Sequence, residues 1–172
     1  KARAEGGRLA ICVDSEEGVT RLAQAMQDAQ AGNAAIDALV EINVGQNRCG
    51  AEPGEAALLQ AQAIAAQPTL RFAGLQAYHG GAQHLRTVEE RKAAIEQVLT
   101  LVKRTHHEFD RANIAIPLIT GAGTGTMVNG AASGIYGEIA VRAAALGPRA
   151  WDERITTSKA EKAALVMEAF WE

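Results

Sequence analysis

Five short apolar runs alternate with stretches of helical periodicity, and this alternation restricts the fold of the chain more than any other feature. Each run has the length and composition of a buried parallel strand. The residues between the first two runs include Val19, Leu22, Ala23 and Met26, which recur with the spacing of one helix face. The order of elements predicts an α/β fold with a parallel sheet, whose five strands cover residues 9–13, 38–44, 71–78, 114–120 and 135–141.

Two architectures satisfy this order of elements. One is an open, doubly wound sheet, and the other is a partial (β/α)8 barrel of about five βα units. The 172 residues give ~34 residues per unit, close to the ~31 of an eight-unit barrel of ~250 residues. In both architectures the chemistry gathers at the carboxyl ends of the strands.

The composition excludes several classes of protein. A chain of 172 residues with 48% hydrophobic and 22% charged residues fits one folded domain and not a disordered segment. It holds no apolar run of the ~20 residues that span a bilayer, and residues 1–8 do not have the pattern of a signal peptide. The net charge of -3 argues against a nucleic-acid partner. Two separated cysteines, Cys12 and Cys49, predict a reduced, cytoplasmic protein.

Polar residues follow three of the predicted strands, in residues 43–50, 76–84 and 120–126. Because the carboxyl ends of parallel strands meet at one edge of a sheet, we expect these residues to converge on one pocket. Residues 121–126 predict a phosphate cradle, since glycines let the backbone approach an anion and threonine hydroxyls can donate to it. A tight turn between strand and helix is the alternative. The segment is neither a Walker A loop nor a complete dinucleotide-binding fingerprint.

Four further side chains at these strand ends are candidates for chemistry. Arg48 could hold a carboxylate or a phosphate, or form a surface salt bridge. Tyr78 could stack on a ligand and His79 could transfer a proton, or each could satisfy its polar tip at the edge of the core. Arg48 could favour the thiolate of Cys49, although a buried apolar role is the alternative. The sequence shows no metal-ligand spacing.

The same three segments carry a family resemblance. Residues 40–50 (VEINVGQNRCG), 72–80 (FAGLQAYHG) and 120–126 (TGAGTGT) resemble motifs of the D-threonine aldolase and D-serine dehydratase family, which includes the β-hydroxyaspartate aldolases. These are fold type III pyridoxal-phosphate enzymes with an alanine racemase-like N-terminal barrel and a following β domain. The resemblance implies that residues 1–140 form a partial (β/α)8 barrel, in which the five runs are the fourth to eighth strands.

The resemblance also implies residues that bind pyridoxal 5'-phosphate. Arg48 and Tyr78 match positions that contact the cofactor ring and its substituents in the family. Residues 121–126 match the phosphate-binding turn of the family. The other cofactor-binding positions implied by the resemblance are Gly123, Thr124, Gly125 and Thr126, with Gln46 and His79 beside them.

Two parts of the family's chemistry have no counterpart in the sequence. The family holds its cofactor as a Schiff base on a lysine of the first strand, and no lysine here ends a predicted strand; the lysines are Lys1, Lys92, Lys103, Lys159 and Lys162. The family's divalent-metal ligands lie in its β domain, so we assign no metal ligand. Residues 141–172 predict instead a non-matching helical tail, which is either a frameshifted or recombined end or a replacement helix.

The sequence supports two functional hypotheses. In the first, the chain is a fragment of a lyase that acts on D-β-hydroxy amino acids, either as a D-threonine or 3-hydroxyaspartate aldolase or as a D-serine dehydratase, and is inactive alone. In the second, it is a non-catalytic half-barrel that binds a phosphate-bearing ligand or associates with itself, because an incomplete barrel exposes two edge strands. The second hypothesis predicts a homo-oligomer. A third possibility is that the chain is part of a longer gene product, in which the missing barrel half lies upstream.

Overall fold

The computed structural model describes residues 9–29 and 35–139. The alternation predicted from the sequence is present throughout these ranges. In chain order the elements are β1 (Ala10–Val13), α1 (Glu16–Asp28), β2 (Ile36–Glu41), α2 (Glu55–Ala65), β3 (Leu70–Ala77), a short 3-10 helix (Gly80–His84), α3 (Val88–Arg111), β4 (Ile119–Gly121), α4 (Met127–Ser133) and β5 (Glu138–Ile139).

The five strands form one parallel sheet in the order β1-β2-β3-β4-β5. A doubly wound sheet reverses its strand order at a switch point, whereas consecutive strands lie side by side in a barrel. The strictly sequential order is therefore that of a stretch of a (β/α)8 barrel. This topology confirms the prediction of a partial barrel over an open doubly wound sheet.

The helices cover one face of the sheet and share a single hydrophobic core with it. In β2 the alternate residues Ala38 and Val40 are fully buried in this core. The side chains of Leu39 and Glu41 point to the opposite face, because successive residues of a strand alternate between the two faces. The helical residues that complete the core include Val19, Ala57, Ile64, Val98, Val102 and Phe109.

Gly74 permits the close approach of β3 to the segment that leads into β4. Its φ is +138°, and a Cβ atom at this position would overlap the backbone carbonyl of Leu118. The pairing of β2 with β3 shifts by one residue here, so that Ala38 faces Phe72 and Leu39 faces Gly74. The conformation and the lack of space both require glycine.

The fourth and fifth strands begin later in the chain than predicted. β4 begins at Ile119 and not at residue 114, and the backbone N–H of Leu75 donates to Leu118 O at 2.9 Å just before it. Pro117 lacks the N–H that would extend the ladder further towards the N-terminus. β5 is described only at Glu138–Ile139.

The helical tail predicted for residues 141–172 lies outside the described residues. Among the helices of residues 9–29 and 35–139, none combines the length and the apolar character needed to cross a bilayer.

Candidate functional site

Hydrogen bonds connect the loops that follow β2, β3 and β4 at their carboxyl ends. The N–H of Gly80, after β3, donates to Gln46 Oε1 in the loop after β2, at 2.8 Å. The N–H of Gly125, after β4, donates to Gln83 Oε1 in the loop after β3, at 2.7 Å. We call these three loops together the strand-end site. The three polar segments therefore lie close together at one edge of the sheet. A shared ligand pocket stays a prediction.

Asn43 shapes the loop that follows β2. Its Oδ1 accepts hydrogen bonds from the N–H groups of Gly45 and Asn47, each at 3.2 Å. Both of these residues have positive φ, which glycine and asparagine adopt more readily than other residues. The end of the loop is held against β1, because the N–H of Gly50 donates to Asp14 Oδ2 at 3.1 Å.

Arg48 and Cys49 lie beside a carboxylate that the sequence did not single out. Glu41 is largely buried, and its Oε1 accepts a hydrogen bond from the Cys49 thiol at 3.0 Å. The same oxygen lies 3.9 Å from Arg48 Nη2, whose side chain is 58% exposed. Burial and the hydrogen bond to Glu41 raise the pKa of Cys49. The thiolate that Arg48 was thought to favour is therefore disfavoured, and Cys49 is a thiol at neutral pH.

His79 packs against the two glycines that flank it in space. A Cβ atom on Gly45 would lie 3.1 Å from His79 Nε2, and one on Gly81 would lie 3.2 Å from Cε1. Within the described part of the chain, the buried Nδ1 atom has no hydrogen-bond partner. Burial lowers the pKa of His79 below its ordinary value of 6.5, so the imidazole is neutral at pH 7. Tyr78 is half-buried beside His79 and interacts electrostatically with Arg48.

The glycine turn of residues 121–126 is held by the hydroxyl of Thr126. Thr126 Oγ1 accepts from the N–H of Gly123 at 3.1 Å, and its own N–H donates to Gly123 O at 2.9 Å. A Cβ atom on Gly121 would overlap the carbonyl oxygen of Ala77 on β3. The segment forms a tight turn between β4 and α4, in which the Gly123 and Gly125 amides donate to Thr126 Oγ1 and Gln83 Oε1. Phosphate binding by this turn stays a prediction.

Sequence reasoning missed two side chains that organise this site. Glu41 ends β2, and its carboxylate faces Arg48 and Cys49. Gln83 joins the loop after β3 to the glycine turn. Gln83 falls within the polar segment 76–84, but only the tertiary contact distinguishes it from its neighbours.

Two further pairs occupy the face of the sheet opposite the helices. Thr120 Oγ1 donates to Gln76 Oε1 between β4 and β3. Arg71 Nε donates to Asp37 Oδ1 at 2.6 Å between β3 and β2. These pairs make that face polar below the strand-end site.

The described lysines do not join the site. Lys92 and Lys103 are exposed on α3, where Lys92 Nζ lies 3.9 Å from Glu96 Oε1. Among residues 9–29 and 35–139, no group of three or more histidine, cysteine, aspartate or glutamate side chains is arranged to hold a metal ion.

The fold and the site together define the class of protein: a segment of a parallel α/β barrel with polar residues at the carboxyl ends of its strands. The sequence profile described as "Alanine racemase, N-terminal domain" matches residues 1–142. The chain therefore belongs to the alanine racemase N-terminal domain family. This match confirms the barrel family implied by the resemblance of the three segments.

Individual relatives agree with this assignment. The chain is 42% identical over 132 residues to a D-threonine aldolase from Arthrobacter sp, and 35% identical over 134 residues to a 3-hydroxy-D-aspartate aldolase from Paracoccus denitrificans (strain Pd 1222). These matches cover 77% and 78% of this chain but only 34% of each relative.

A solved structure supports the fold as well. The crystal structure of D-threonine aldolase from Filomicrobium marinum matches with a TM-score of 0.75 and 38% sequence identity. The match covers 81% of this chain and 37% of that one. The chain thus spans about a third of the length of the relatives it matches.

Proposed function

We propose that this chain supplies the phosphate-contacting and ring-contacting part of a pyridoxal-phosphate site in a lyase that acts on D-β-hydroxy amino acids. The observation that carries the proposal is the strand-end site, in which the glycine turn lies at the same edge of the sheet as the exposed guanidinium of Arg48. The aldolases to which the chain is similar supply the substrate class.

The described residues fit the phosphate end of this cofactor. In the glycine turn, the amide of Gly125 binds a carbonyl oxygen of a side chain and the amide of Gly123 binds a hydroxyl oxygen. A phosphate presents oxygen acceptors of the same kind, and on binding it would replace these two acceptors at the amides. Arg48 adds a permanent positive charge that suits a phosphate or a ring hydroxyl. No described lysine fits a covalent attachment at the strand-end site, since Lys92 and Lys103 lie on α3.

Each group has a distinct part in this proposal. Pyridoxal phosphate, when bound, supplies an electron sink for cleavage of a bond to the substrate's α-carbon. Arg48 and Tyr78 would orient the cofactor ring, and His79, whose pKa is lowered by burial, would supply a neutral imidazole to the site. Gln46 connects the loop after β2 with the loop after β3, since its Oε1 accepts a hydrogen bond from the Gly80 amide. The phosphate would be held by residues of the glycine turn: Gly123, Thr124, Gly125 and Thr126.

The reaction itself requires groups beyond those of the strand-end site. A lyase of this class needs a base at the α-carbon and a group that polarises the β-hydroxyl, for which a divalent metal is suited. We therefore propose that the chain alone binds the cofactor without turnover. Aldol cleavage and dehydration differ in which bond breaks, and the strand-end site is compatible with both.

The test compares ligands that differ only in the phosphate. The chain is titrated with pyridoxal 5'-phosphate and with pyridoxal, and the dissociation constants are measured by fluorescence quenching or calorimetry. We expect the phosphate-bearing ligand to bind at least about tenfold more tightly, because one or two charge-assisted hydrogen bonds to the phosphate provide a gain in affinity of this size. Equal affinity for the two ligands would contradict the proposal.

Two arginine variants serve as a matched pair in the same titration. Arg48→Ala removes the cation at the site and should weaken pyridoxal 5'-phosphate binding by about tenfold. Arg21→Ala removes an equally charged but highly exposed side chain on α1, whose Nη1 lies 3.7 Å from Glu17 Oε1. It should bind like the wild type. A loss of the same size in both variants would indicate a nonspecific charge effect.

A second candidate function is self-association through the edge of the sheet. Within the described residues β1 pairs with β2 alone, and the adjoining Leu9 is 51% exposed. An unpaired strand edge offers backbone N–H and C=O groups to a second chain. This candidate is compatible with the first, because a barrel segment can bind a ligand and a second copy at different places.

A further inference from the structure

A groove opens on the helical face of the sheet, between α3, β4 and the segment that leads into β5. Its volume is about 510 Å³. The buried side chains of Val102 and Ile119 line it together with the half-buried Ile116, Leu118 and Ile135. Water against apolar side chains costs free energy, and an apolar segment that covers them removes this cost. The groove is therefore suited to an apolar occupant.

The groove is open because α4 is short. This helix has seven residues, which is about 10 Å at the rise of an α-helix, whereas α3 has 24 residues. It ends at Gly134, whose φ of +68° is the left-handed conformation that often terminates a helix. Its Gly130 packs against Ala122, beyond the carboxyl end of β4. Among the described residues, Gly134 lines the groove but no residue of α4 itself does.

The sequence after β5 contains a segment with a matching apolar face. Residues 158–171 (SKAEKAALVMEAFW) predict a helix that begins with the capping-box spacing of Ser158 and Glu161. Glu168 lies on the same side of this helix as Glu161, and Leu165 lies opposite its apolar face. The segment lies outside the described residues. The residues that share the apolar face are Ala160, Ala163, Ala164, Met167, Phe170 and Trp171.

The length of this segment fits the groove. The apolar face from Ala160 to Trp171 is ~17 Å long in a helix, and residues 114–119 beside the groove span at most ~20 Å. Residues 140–157 connect β5 to the segment, and a chain of that length can extend over more than ~50 Å. The groove is also lined by Gly137, next to β5. A right-handed connection from β5 returns the chain to the face that carries the other helices.

Charge favours the same placement. Lys103 is exposed on α3 and lines the groove. Glu161 and Glu168 adjoin one side of the apolar face of the predicted helix, whereas Lys159 and Lys162 lie towards its other side. The segment can therefore place an acidic flank beside the lysine while its apolar face covers the groove.

We propose that residues 158–171 cover this groove in the same chain, as a helix whose apolar face packs on Ile116, Leu118 and Ile135 and whose acidic flank faces Lys103. The helix occupies the surface that α4 leaves open, so that the tail completes the outer layer of the barrel segment. The proposal is independent of the binding of pyridoxal phosphate, because its occupant is a part of the chain and not a ligand.

The first test measures contacts of the tail in the full chain. Met167 is one of three methionines, so its methyl group can be labelled and assigned together with those of the isoleucines. We expect nuclear Overhauser contacts from the Met167 methyl to Ile116 and to Ile135. The contacts should persist when the labelled chain is unfolded and refolded with an excess of unlabelled chain. Contacts that disappear on this dilution would place the tail on a second copy and overturn the proposal.

Two substitutions within the tail form a matched pair. Met167→Asp places a charge on the apolar face, whereas Leu165→Asp places the same charge on the opposite side of the same helix. Neither residue belongs to the described core. We expect the amides of residues 160–171 to exchange hydrogen at least about tenfold faster in Met167→Asp than in the wild type. Leu165→Asp should exchange more slowly than Met167→Asp.

A second pair on α3 tests the charge contact. Lys103→Glu reverses the charge at the groove and should accelerate exchange of the tail amides by about two- to fivefold, as an exposed ion pair allows. Lys92→Glu is the control, because Lys92 lies elsewhere on α3, with its Nζ 3.9 Å from Glu96 Oε1. It should match the wild type. Equal tail exchange in Lys103→Glu and Lys92→Glu overturns the charge contact.

Two results would overturn the covering of the groove itself. One is a Met167 methyl that contacts neither Ile116 nor Ile135. The other is a wild-type tail that exchanges hydrogen as fast as the tail of Met167→Asp. Either result can be read without a substitution in the described core, so a failure to fold cannot produce it.

Discussion

At the scale of single residues, neutral amides connect the loops of the strand-end site. Gln46 Oε1 binds the Gly80 amide and Gln83 Oε1 binds the Gly125 amide. A carboxylate in either position would repel the anion that the site is proposed to bind. The resemblance implied that Gln46 lies beside the cofactor; the structure gives it a backbone partner, which makes it a support for the 3-10 helix.

His79 gives the site a pH dependence of defined sign. Burial lowers its pKa below 6.5, so the folded chain holds it neutral where the unfolded chain binds a proton. Its contribution to the free energy of unfolding is complete above pH 6.5 and is lost as the pH falls through the lowered pKa of the folded state. We therefore expect the wild type to lose more stability between pH 7 and pH 5 than His79→Gln, as measured by urea unfolding at each pH.

A second histidine provides the comparison for this experiment. His107 is exposed on α3, and His107→Gln should keep the pH dependence of the wild type. If His79→Gln follows the same pH profile as His107→Gln, the protonation of His79 is not coupled to folding.

At the scale of elements, α3 stabilises both its own start and that of α2. Thr87 and Glu90 form a capping box at its start, as their spacing predicts. Thr87 Oγ1 accepts from the Glu90 amide at 3.1 Å, and the Thr87 amide donates to Glu90 Oε2 at 3.0 Å. Further along α3, Thr105 is fully buried, and its Oγ1 accepts from the N–H of Gly54 at 2.9 Å. Gly54 caps the start of α2, so this bond joins the two helices.

Two isosteric substitutions on α3 should differ sharply in effect. Thr105→Val leaves the buried Gly54 N–H without an acceptor, and we expect a loss of about 1–3 kcal/mol in the free energy of unfolding. Thr100→Val removes only the exposed bond from Thr100 Oγ1 to Glu96 O, and should change it by less than about 0.5 kcal/mol. Urea unfolding measures both, and equal losses would refute a role for the bond between helices.

At the scale of the whole molecule, the described sheet ends at β1 with an unpaired edge. Leu9 adjoins this edge and is 51% exposed, while Leu59 is 58% exposed on α2, in the helical layer. A charge at a strand edge opposes pairing with a second chain. Substituting each leucine in turn therefore distinguishes association through the strand edge from association through any exposed apolar residue.

We expect the chain to form dimers that Leu9→Lys weakens by about tenfold or more, whereas Leu59→Lys leaves the dissociation constant unchanged. Sedimentation equilibrium in the presence of a thiol reductant measures both, since Cys12 is exposed and could otherwise crosslink chains. A wild-type chain that remains monomeric at all concentrations would refute self-association.

Much of the local structure follows from neighbouring residues, which is why it could be predicted. The N-cap at Ser15, whose side chain accepts from the Gly18 amide at 3.1 Å, and the capping box of α3 depend on residues three positions apart. The strands were located by their apolar runs, but the fourth was predicted too long, because apolar character alone does not detect the missing donor of Pro117.

The sequence by itself determined the alternation of strands and helices, the family of the barrel and the segments that form the strand-end site, because periodicity and short motifs are local properties of a chain. Only the tertiary structure decided the sequential strand order, the neutral state of His79 and the roles of Glu41 and Gln83. Each of these depends on groups distant in sequence, such as Gln83 and Gly125, whose contact exists only once parallel strands lie side by side.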